Sequence, residues 1–296
     1  MKKLMIASAL VAFCGAVMAE GIESQNVVGY TMFEPGKSVK CMKGFGFVNT
    51  SGTTFDLQSI TAYADGEIDS GDGYFKIWWW EINQGNKYAV WSNYWWDDND
   101  PNADPDGYVD AADESEYCWV VPETDDVMPT KWVKSFANGE GFFVQAAVTA
   151  PSLTIAGSLV SADTVDEYYE MALVKSQKKL ITNPFPVAWN LSDIVAYADG
   201  EIDSGDGYFK IWWWEVNQGN KYAVWSNYWW DDNDPNADPD GYVDAADESE
   251  YCWVVPETDD VMPTKWTKAF GVGDGFFVQP AVTAPSIMFP NPFYKD

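Results

Sequence analysis

Residues with oxygen-bearing side chains alternate along the start of an acidic segment, residues 102–113. Its sixth position is glycine, its seventh can offer a backbone carbonyl, its eighth is apolar, and its ninth and twelfth are carboxylates. This is the spacing of an EF-type calcium loop, in which alternate oxygens surround one hard cation and glycine permits a sharp turn. The spacing predicts one calcium site at Asn102, Asp104, Asp106, Tyr108, Asp110 and Asp113, and a second at Asn236, Asp238, Asp240, Tyr242, Asp244 and Asp247.

The acidic segment departs from an EF-hand at both ends. Asn102 replaces the usual aspartate, Asp113 replaces the usual bidentate glutamate, and the sequence predicts no flanking helices. The alternative is a solvated acidic loop in which Asp110 caps a short helix. No basic residue occurs between positions 97 and 116, so the carboxylates would repel one another without a cation, and we favour calcium. A second acidic cluster, residues 65–73, lacks this spacing and is interpreted as a hairpin or loop.

Tryptophan is abundant, with 17 in the chain, so some indole rings must be buried and others are candidates for ligand contact. If residues 77–81 form a strand, Trp78 and Trp80 lie on one face and Trp79 on the other. An exposed indole can stack against the apolar face of a sugar ring. The sequence favours the four indoles at the start of the acidic segments for this role, with core packing as the alternative; they are Trp95, Trp96, Trp229 and Trp230.

The basic residues of the chain are all lysines, since it has no arginine and no histidine, and the formal net charge is -29. Without histidine there is no general base for a Ser or Cys triad and no imidazole ligand for zinc. The lack of arginine and the negative charge argue against binding to nucleic acid. Carboxylates are the remaining acid–base groups, and a glycan-cleaving enzyme would use a pair of them.

Three of the cysteines, Cys41, Cys118 and Cys252, lie after residue 19, where the export signal described in the next paragraph is predicted to end. An odd number in an exported protein leaves at least one thiol unpaired or joined to another chain. Cys118 and Cys252 lie in equivalent apolar runs, which favours buried free thiols over a disulfide. When the two copies of the internal repeat described below are aligned by counting residues, Lys175 corresponds to Cys41.

The N-terminus has the pattern of an export signal. Lys2 and Lys3 precede the apolar run Leu4–Val17, and small residues before Glu20 form a cleavage site. We therefore expect residues 1–19 to be a signal peptide and the product to be secreted, in an extracellular or periplasmic location. The apolar run is too short to cross a membrane, and no later segment is long and apolar enough, so we expect no membrane span.

The chain carries one module twice, because Ala62–Ser152 recurs almost unchanged as Ala196–Ser286. A repeat of this length is domain-sized, which predicts domains at residues 20–160 and 161–296 rather than a solenoid. Short aromatic and β-branched runs alternate with turn residues, and no segment has the helical period over a long stretch. The expected fold is all-β, with two tandem, nearly identical antiparallel β-sandwich or open-barrel modules.

Several short motifs resemble those of an uncharacterised group of secreted bacterial β-repeat proteins. They are the opening Asn26–Tyr30, Leu180–Pro184 of the second copy, and the closing Gly139–Gln145 followed by Leu153–Gly157. The resemblance implies an extracellular all-β module and supplies no catalytic residues. The acidic segment lies outside the resemblance.

These patterns favour a secreted, non-enzymatic structural or adhesive protein built from two calcium-stabilised, tryptophan-rich modules. A carbohydrate-binding protein with exposed indole platforms is the first alternative, and a glycan-cleaving enzyme the second. The expected partner is a polysaccharide or a component of a cell surface or matrix. Self-association is a further expectation, because Val27–Tyr30 and the altered C-terminal segment after Ser286 could each present an unpaired strand edge.

Overall fold

The computed structural model describes most of both modules, namely residues 28–44, 46, 54–64, 75–81, 84–113, 116–148, 151–158, 167–198, 208–215, 218–258 and 261–294. Within these ranges the chain is all-β, as expected, and the other regular elements are the 3-10 turns Leu57–Ser59, Leu191–Asp193 and Glu248–Glu250. None of the helical elements in these ranges has the length and apolarity to cross a bilayer. The predicted signal peptide and the second acidic cluster fall outside the described residues.

The first module contains twelve strands, most of them short and aromatic. They are β1 (Val28–Phe33), β2 (Lys40–Gly44), β3 (Thr54–Asp56), β4 (Ile60–Tyr63), β5 (Phe75–Glu81), β6 (Gly85–Ser92), β7 (Tyr94–Trp96), β8 (Tyr108–Asp110), β9 (Cys118–Val120), β10 (Ser135–Ala137), β11 (Gly141–Ala146) and β12 (Ser152–Ser158).

The second module repeats this series. Its strands are β13 (Tyr168–Ala172), β14 (Lys179–Thr182), β15 (Trp189–Asn190), β16 (Val195–Tyr197), β17 (Phe209–Glu215), β18 (Gly219–Ser226), β19 (Tyr228–Trp230), β20 (Tyr242–Asp244), β21 (Cys252–Val254), β22 (Ala269–Phe270), β23 (Gly275–Pro280) and β24 (Ser286–Pro290). β12 ends and β13 begins on either side of the predicted domain boundary.

Each module has two main antiparallel sheets and two small ones. In the first module the five-stranded sheet has the order β2-β11-β5-β6-β9 and the three-stranded sheet the order β1-β12-β4, while β3 pairs with β10 and β7 with β8. The second module has the matching orders β14-β23-β17-β18-β21 and β13-β24-β16, with pairs β15-β22 and β19-β20. β1 lies at a sheet edge, as the predicted self-association would require. The altered C-terminal segment forms β24, which lies between β13 and β16, so the prediction of an unpaired edge there is wrong.

The core of each module lies between its five-stranded and three-stranded sheets. In the first module Phe75, Ile77 and Trp79 of β5 pack with Leu153 and Ile155 of β12, and all five are buried. An indole also links the two sheets, because the Nε1 of Trp119 donates a hydrogen bond to a carbonyl on β4, and Trp253 repeats this bond in the second module. Large aromatic side chains thus provide much of the burial in modules that contain little leucine.

The two modules contact each other through reciprocal hydrogen bonds. The Gly44 amide donates to the Gly273 carbonyl at 3.0 Å, and the Thr182 amide donates to the Gly139 carbonyl at 2.9 Å. Gly139 and Gly273 are equivalent positions of the repeat, and Gly44 and Thr182 are equivalent by strand register. The contact is therefore isologous, as in a two-fold symmetric dimer, although both halves belong to one chain.

Strand register also corrects one alignment made from the sequence. Cys41 on β2 pairs with Val144, and Lys179 on β14 pairs with Val278, the equivalent of Val144. The residue opposite Cys41 in the second module is therefore Lys179 and not Lys175, because the first module has extra residues between β2 and β4. The equivalence also relates Lys40 to Lys178, which matters for the groove between the modules.

Candidate functional site

The acidic segment forms the tip of a β-hairpin made by β7 and β8. Trp95 pairs with Val109 across the hairpin, and the rings of Tyr94 and Tyr108 stack with centroids 4.9 Å apart and planes 7° apart. Val109 is buried against Val90 and Val120 in a second small core. Val109 therefore anchors the segment, and the hairpin covers one end of the outer face of the five-stranded sheet.

The tip of the hairpin is closed by its own hydrogen bonds. Asp104 Oδ1 accepts the amides of Asp106 and Tyr108, both at 2.9 Å, and the Tyr108 carbonyl accepts the Asp104 amide at 2.7 Å. Gly107 adopts φ +88°, a left-handed conformation that a glycine adopts without steric cost. The turn that the sequence predicted therefore forms, and two of the predicted calcium ligands also hold it together.

Two further predicted ligands also have partners in the protein. Asp110 accepts a hydrogen bond from the amide side chain of Asn93 at 3.0 Å, so it does not cap a helix. In the second module Asp247 accepts the Ser249 amide at 2.9 Å at the 3-10 turn, and this bond lowers the pKa of Asp247. Among the described residues no group of three or more acidic or cysteine side chains is arranged to hold a metal ion. Calcium binding stays a prediction.

A lysine from outside the acidic segment lies beside it. Lys131 lines a cleft of about 490 Å³ together with Asp100, Asn102, Asp110 and Glu116. Its Nζ lies 4.2 Å from the ring centroid of Trp95, and Lys265 is placed in the same way over Trp229 at 4.0 Å. The fold therefore places beside the acidic segment one ammonium group that the local sequence does not contain, although Lys131 forms no ion pair with these carboxylates among the described residues.

The indoles at the start of the acidic segments, which were predicted to form an exposed platform for sugars, are buried or half-buried. Trp95 and Trp229 are each only 3% exposed, because their rings pack in the small core below the hairpin. That part of the prediction is wrong. Trp96 and Trp230 are half-buried, and their indole nitrogens cover the glycine of the hairpin tip, with Trp96 Nε1 2.8 Å from where a Cβ of Gly107 would lie.

Exposed indoles occur instead on the outer face of the five-stranded sheets. Trp79 is buried, whereas Trp80 is 51% exposed and Trp78 half-buried, which confirms the predicted alternation along β5. Trp214 is likewise 53% exposed and Trp212 half-buried on β17. Tryptophan is rarely so exposed, and these residues are therefore the better candidates for ligand contact.

An aromatic row crosses the outer face of both five-stranded sheets. Strand register places Phe143 beside Trp78 and Trp78 beside Tyr88 in the first module, and the second module repeats this arrangement. Phe143 and Phe277 contact each other between the modules. In order along the row, the six rings are those of Tyr88, Trp78, Phe143, Phe277, Trp212 and Tyr222.

A groove between the two modules lies beside the centre of this aromatic row. It has a volume of about 640 Å³ and contains Trp214 and Asn220 from the second module. Two lysines line it, with Lys40 Nζ 4.3 Å from the ring centroid of Phe143 and Lys178 Nζ 4.1 Å from that of Phe277. Sequence reasoning missed this groove, because its residues come from strands that are distant along the chain.

The three described cysteines are free thiols, as the apolar runs around two of them predicted. Burial raises the pKa of Cys118 to about 12 and that of Cys252 to about 11, opposed in part by Lys131 and Lys265. Thiols with such pKa values are poor nucleophiles and poor metal ligands at neutral pH. These cysteines are structural residues of the core.

Comparison with protein families, with characterised proteins and with solved structures finds no match to this chain. Inference about function therefore rests on the geometry of the aromatic row and of the groove beside it.

Proposed function

We propose that the protein is an exported, non-enzymatic adhesive protein that holds a polysaccharide on the aromatic row formed by its two modules. The observation that carries the proposal is the exposure of Trp80 and Trp214 beside a row of six aromatic rings. A pyranose ring has an apolar face of C–H groups that can stack on an indole, while its hydroxyl groups stay in contact with water or polar side chains.

The spacing of the aromatic row suits a polymer. Neighbouring strands of a sheet are about 4.8 Å apart, so the rings of each module recur at intervals comparable to the length of one sugar unit. Because the row continues from one module to the other, a single chain of sugars can contact both. Once one sugar unit is bound, its neighbours lie close to the next aromatic rings, so each further contact raises the affinity without a second diffusional association step.

The shape of the site favours binding over hydrolysis. A glycosidase requires two carboxylates facing each other across a cleft, about 5–10 Å apart. The groove instead presents indole, phenyl, ammonium and amide groups on an open sheet face. The secreted location and the calcium-dependent rigidity of the acidic hairpins remain parts of this proposal that the sequence suggests.

The proposal is tested by binding of the mature chain, residues 20–296, to a panel of plant, algal and bacterial polysaccharides by affinity electrophoresis. The double variant Trp80→Ala and Trp214→Ala should lose retardation on any polysaccharide that the parent binds. The control is Tyr63→Ala with Tyr197→Ala, which removes two equally exposed aromatic rings from the three-stranded sheets. Equal loss in both double variants, or no binding by the parent, would contradict the proposal.

A further inference from the structure

We propose that the groove between the modules selects an anionic polysaccharide, whose carboxylate or sulfate groups are bound by Lys40 and Lys178. This inference rests on the proposed function and specifies the class of sugar. Lys40 and Lys178 occupy equivalent positions in the two modules, and each lies over the phenylalanine at the centre of the aromatic row. Both side chains are exposed, so a ligand in the groove can reach their ammonium groups.

Three other lysines near the contact between the modules are neutralised within the protein. Lys43 forms an ion pair with Asp274 at 2.6 Å, Lys134 with Glu140 at 3.2 Å, and Lys268 with Glu215 at 2.8 Å. Lys40 and Lys178, by contrast, form no ion pair with any of the residues that the structure describes. Their contacts are with aromatic rings, which leaves the three N–H donors of each ammonium group available for an acceptor.

The lining of the groove is also opposite in charge to the protein as a whole. None of the described residues that line it is acidic, although the chain contains 46 acidic residues and has a net charge of -29. At physiological ionic strength charges separated by more than about 8 Å are largely screened, so most of the carboxylates of the chain act weakly on a ligand in the groove. Of the nearer ones, Asp274 and Glu140 already pair with Lys43 and Lys134. The groove is therefore a local cationic site on an anionic protein.

The arrangement of polar groups around the two lysines fits a sugar better than a simple anion. Trp212 and Trp214 line the same groove and offer ring faces, and Asn220 offers both a donor and an acceptor for hydroxyl groups. Lys40 lies over Phe143 and Lys178 over Phe277, and the centroids of these two rings are 5.5 Å apart. Two charged groups carried on nearby units of one polymer can therefore be bound at the same time.

Calorimetric titration of the mature chain tests the inference with three oligosaccharides of equal length: an oligogalacturonate, a sulfated oligogalactan and a neutral oligogalactan. We expect one of the anionic oligosaccharides to bind at least about tenfold more tightly than the neutral one, since a hydrogen bond to a charged group contributes about 1.5–3 kcal/mol. The two anionic ligands distinguish carboxylate from sulfate as the recognised group.

In the double variant Lys40→Gln and Lys178→Gln the anionic and neutral oligosaccharides should bind with equal affinity, whereas Lys40→Arg with Lys178→Arg should retain the preference for the anionic one. The control is Lys37→Gln with Lys175→Gln, which removes the same charge from two exposed, equivalent lysines outside the groove lining. A parent that binds neutral and anionic sugars equally, or a preference that survives the Lys40 and Lys178 double variant, would overturn the inference alone. Failure of all three oligosaccharides to bind would instead count against the proposed function.

Discussion

The phenyl rings of Phe143 and Phe277 occupy the same position in the two copies of the repeat, and they contact each other with 5.5 Å between their centroids. A surface that contacts its own duplicate must be self-complementary, which is the property of an isologous dimer interface. The reciprocal hydrogen bonds of Gly44 and Thr182 have the same symmetry. The duplication thus joined two modules into one continuous aromatic surface.

The contact between the modules should be sensitive to the size of residue 273. A Cβ at Gly273 would lie 2.5 Å from the ring of Phe33, which is buried, and 3.2 Å from the Gly44 carbonyl. Gly273→Ala should therefore lower the free energy of unfolding by the cost of the positive φ plus about 1–3 kcal/mol for overpacking, as measured by urea denaturation.

The matched control for this substitution is Gly219→Ala. Gly219 has a similar φ, +79° against +71°, and no atom lies within 4 Å of its Cβ position. Both variants share the conformational cost of about 1–2 kcal/mol, so their difference isolates the contact between the modules. Equal destabilisation would show that this contact does not hold the modules together in solution.

The ion pair of Glu215 should make the second module sensitive to acid. Hydrogen bonds from Lys268 and Trp213 lower the pKa of Glu215 below its usual value of 4.5. The folded state therefore binds fewer protons than the unfolded state, and the stabilisation present above pH 4.5 is lost as the pH falls towards the pKa of the folded state. In Glu215→Gln the melting temperature should fall less steeply below pH 4.5 than in the parent.

Glu81→Gln is the control for Glu215→Gln. Glu81 accepts the same indole hydrogen bond, from Trp79 at 2.9 Å, but the equivalent lysine, Lys134, pairs with Glu140 instead. The difference between the two pH profiles therefore measures the contribution of the Lys268–Glu215 ion pair to stability. If the two variants have the same profile, the Lys268–Glu215 ion pair does not contribute to stability.

The buried cysteines should resist modification in the folded protein. Cys118 and Cys252 have pKa values of about 12 and 11, so the thiolate that reacts with iodoacetamide is scarce at pH 8. We expect both to be alkylated at least about a hundredfold more slowly in the native protein than in urea, as followed by peptide mass spectrometry. Cys118 is the most buried of the three described cysteines, and rapid native labelling of Cys118 would contradict its placement in the core.

Calcium should raise the melting temperature if the acidic hairpins bind it, as their spacing predicts. A ligand at a hundred times its Kd adds about 2.7 kcal/mol per site to the folded state. The informative variant is Asp106→Asn with Asp240→Asn, because these carboxylates are predicted ligands whose side chains are exposed. This variant should abolish the calcium shift without lowering stability in EDTA. A parent melting curve unchanged by calcium and by EDTA would contradict the prediction that the acidic hairpins bind calcium.

Local patterns predicted the parts of the structure that depend on local geometry. The alternation of Trp78, Trp79 and Trp80 follows from the two-residue period of a strand, and the turn at Gly107 follows from the spacing of the acidic segment. The all-β fold follows from short aromatic runs and turn residues. In each case the residues that decide the outcome are neighbours in the sequence.

The sequence could not predict features created by contacts between distant strands. Lys131 reaches the acidic hairpin, and Phe277 reaches Phe143, only after the sheets have formed. The position of Trp95 at the start of the acidic segment predicted an exposed ring, but this position along the chain does not show what the hairpin packs against. Here the hairpin covers the outer face of β6, so Val90 and Trp91 are both buried despite being adjacent.

The most direct test of the binding surface is the stoichiometry of calorimetric titration with a six-unit oligosaccharide of whichever polysaccharide the mature chain retains. The aromatic row that joins Trp78 to Trp212 through Phe143 and Phe277 predicts one ligand for each protein chain. It also predicts an affinity for the six-unit oligosaccharide well above that for the three-unit one. Two equivalent ligands for each chain, with no gain in affinity from three to six units, would contradict a row shared by the two modules.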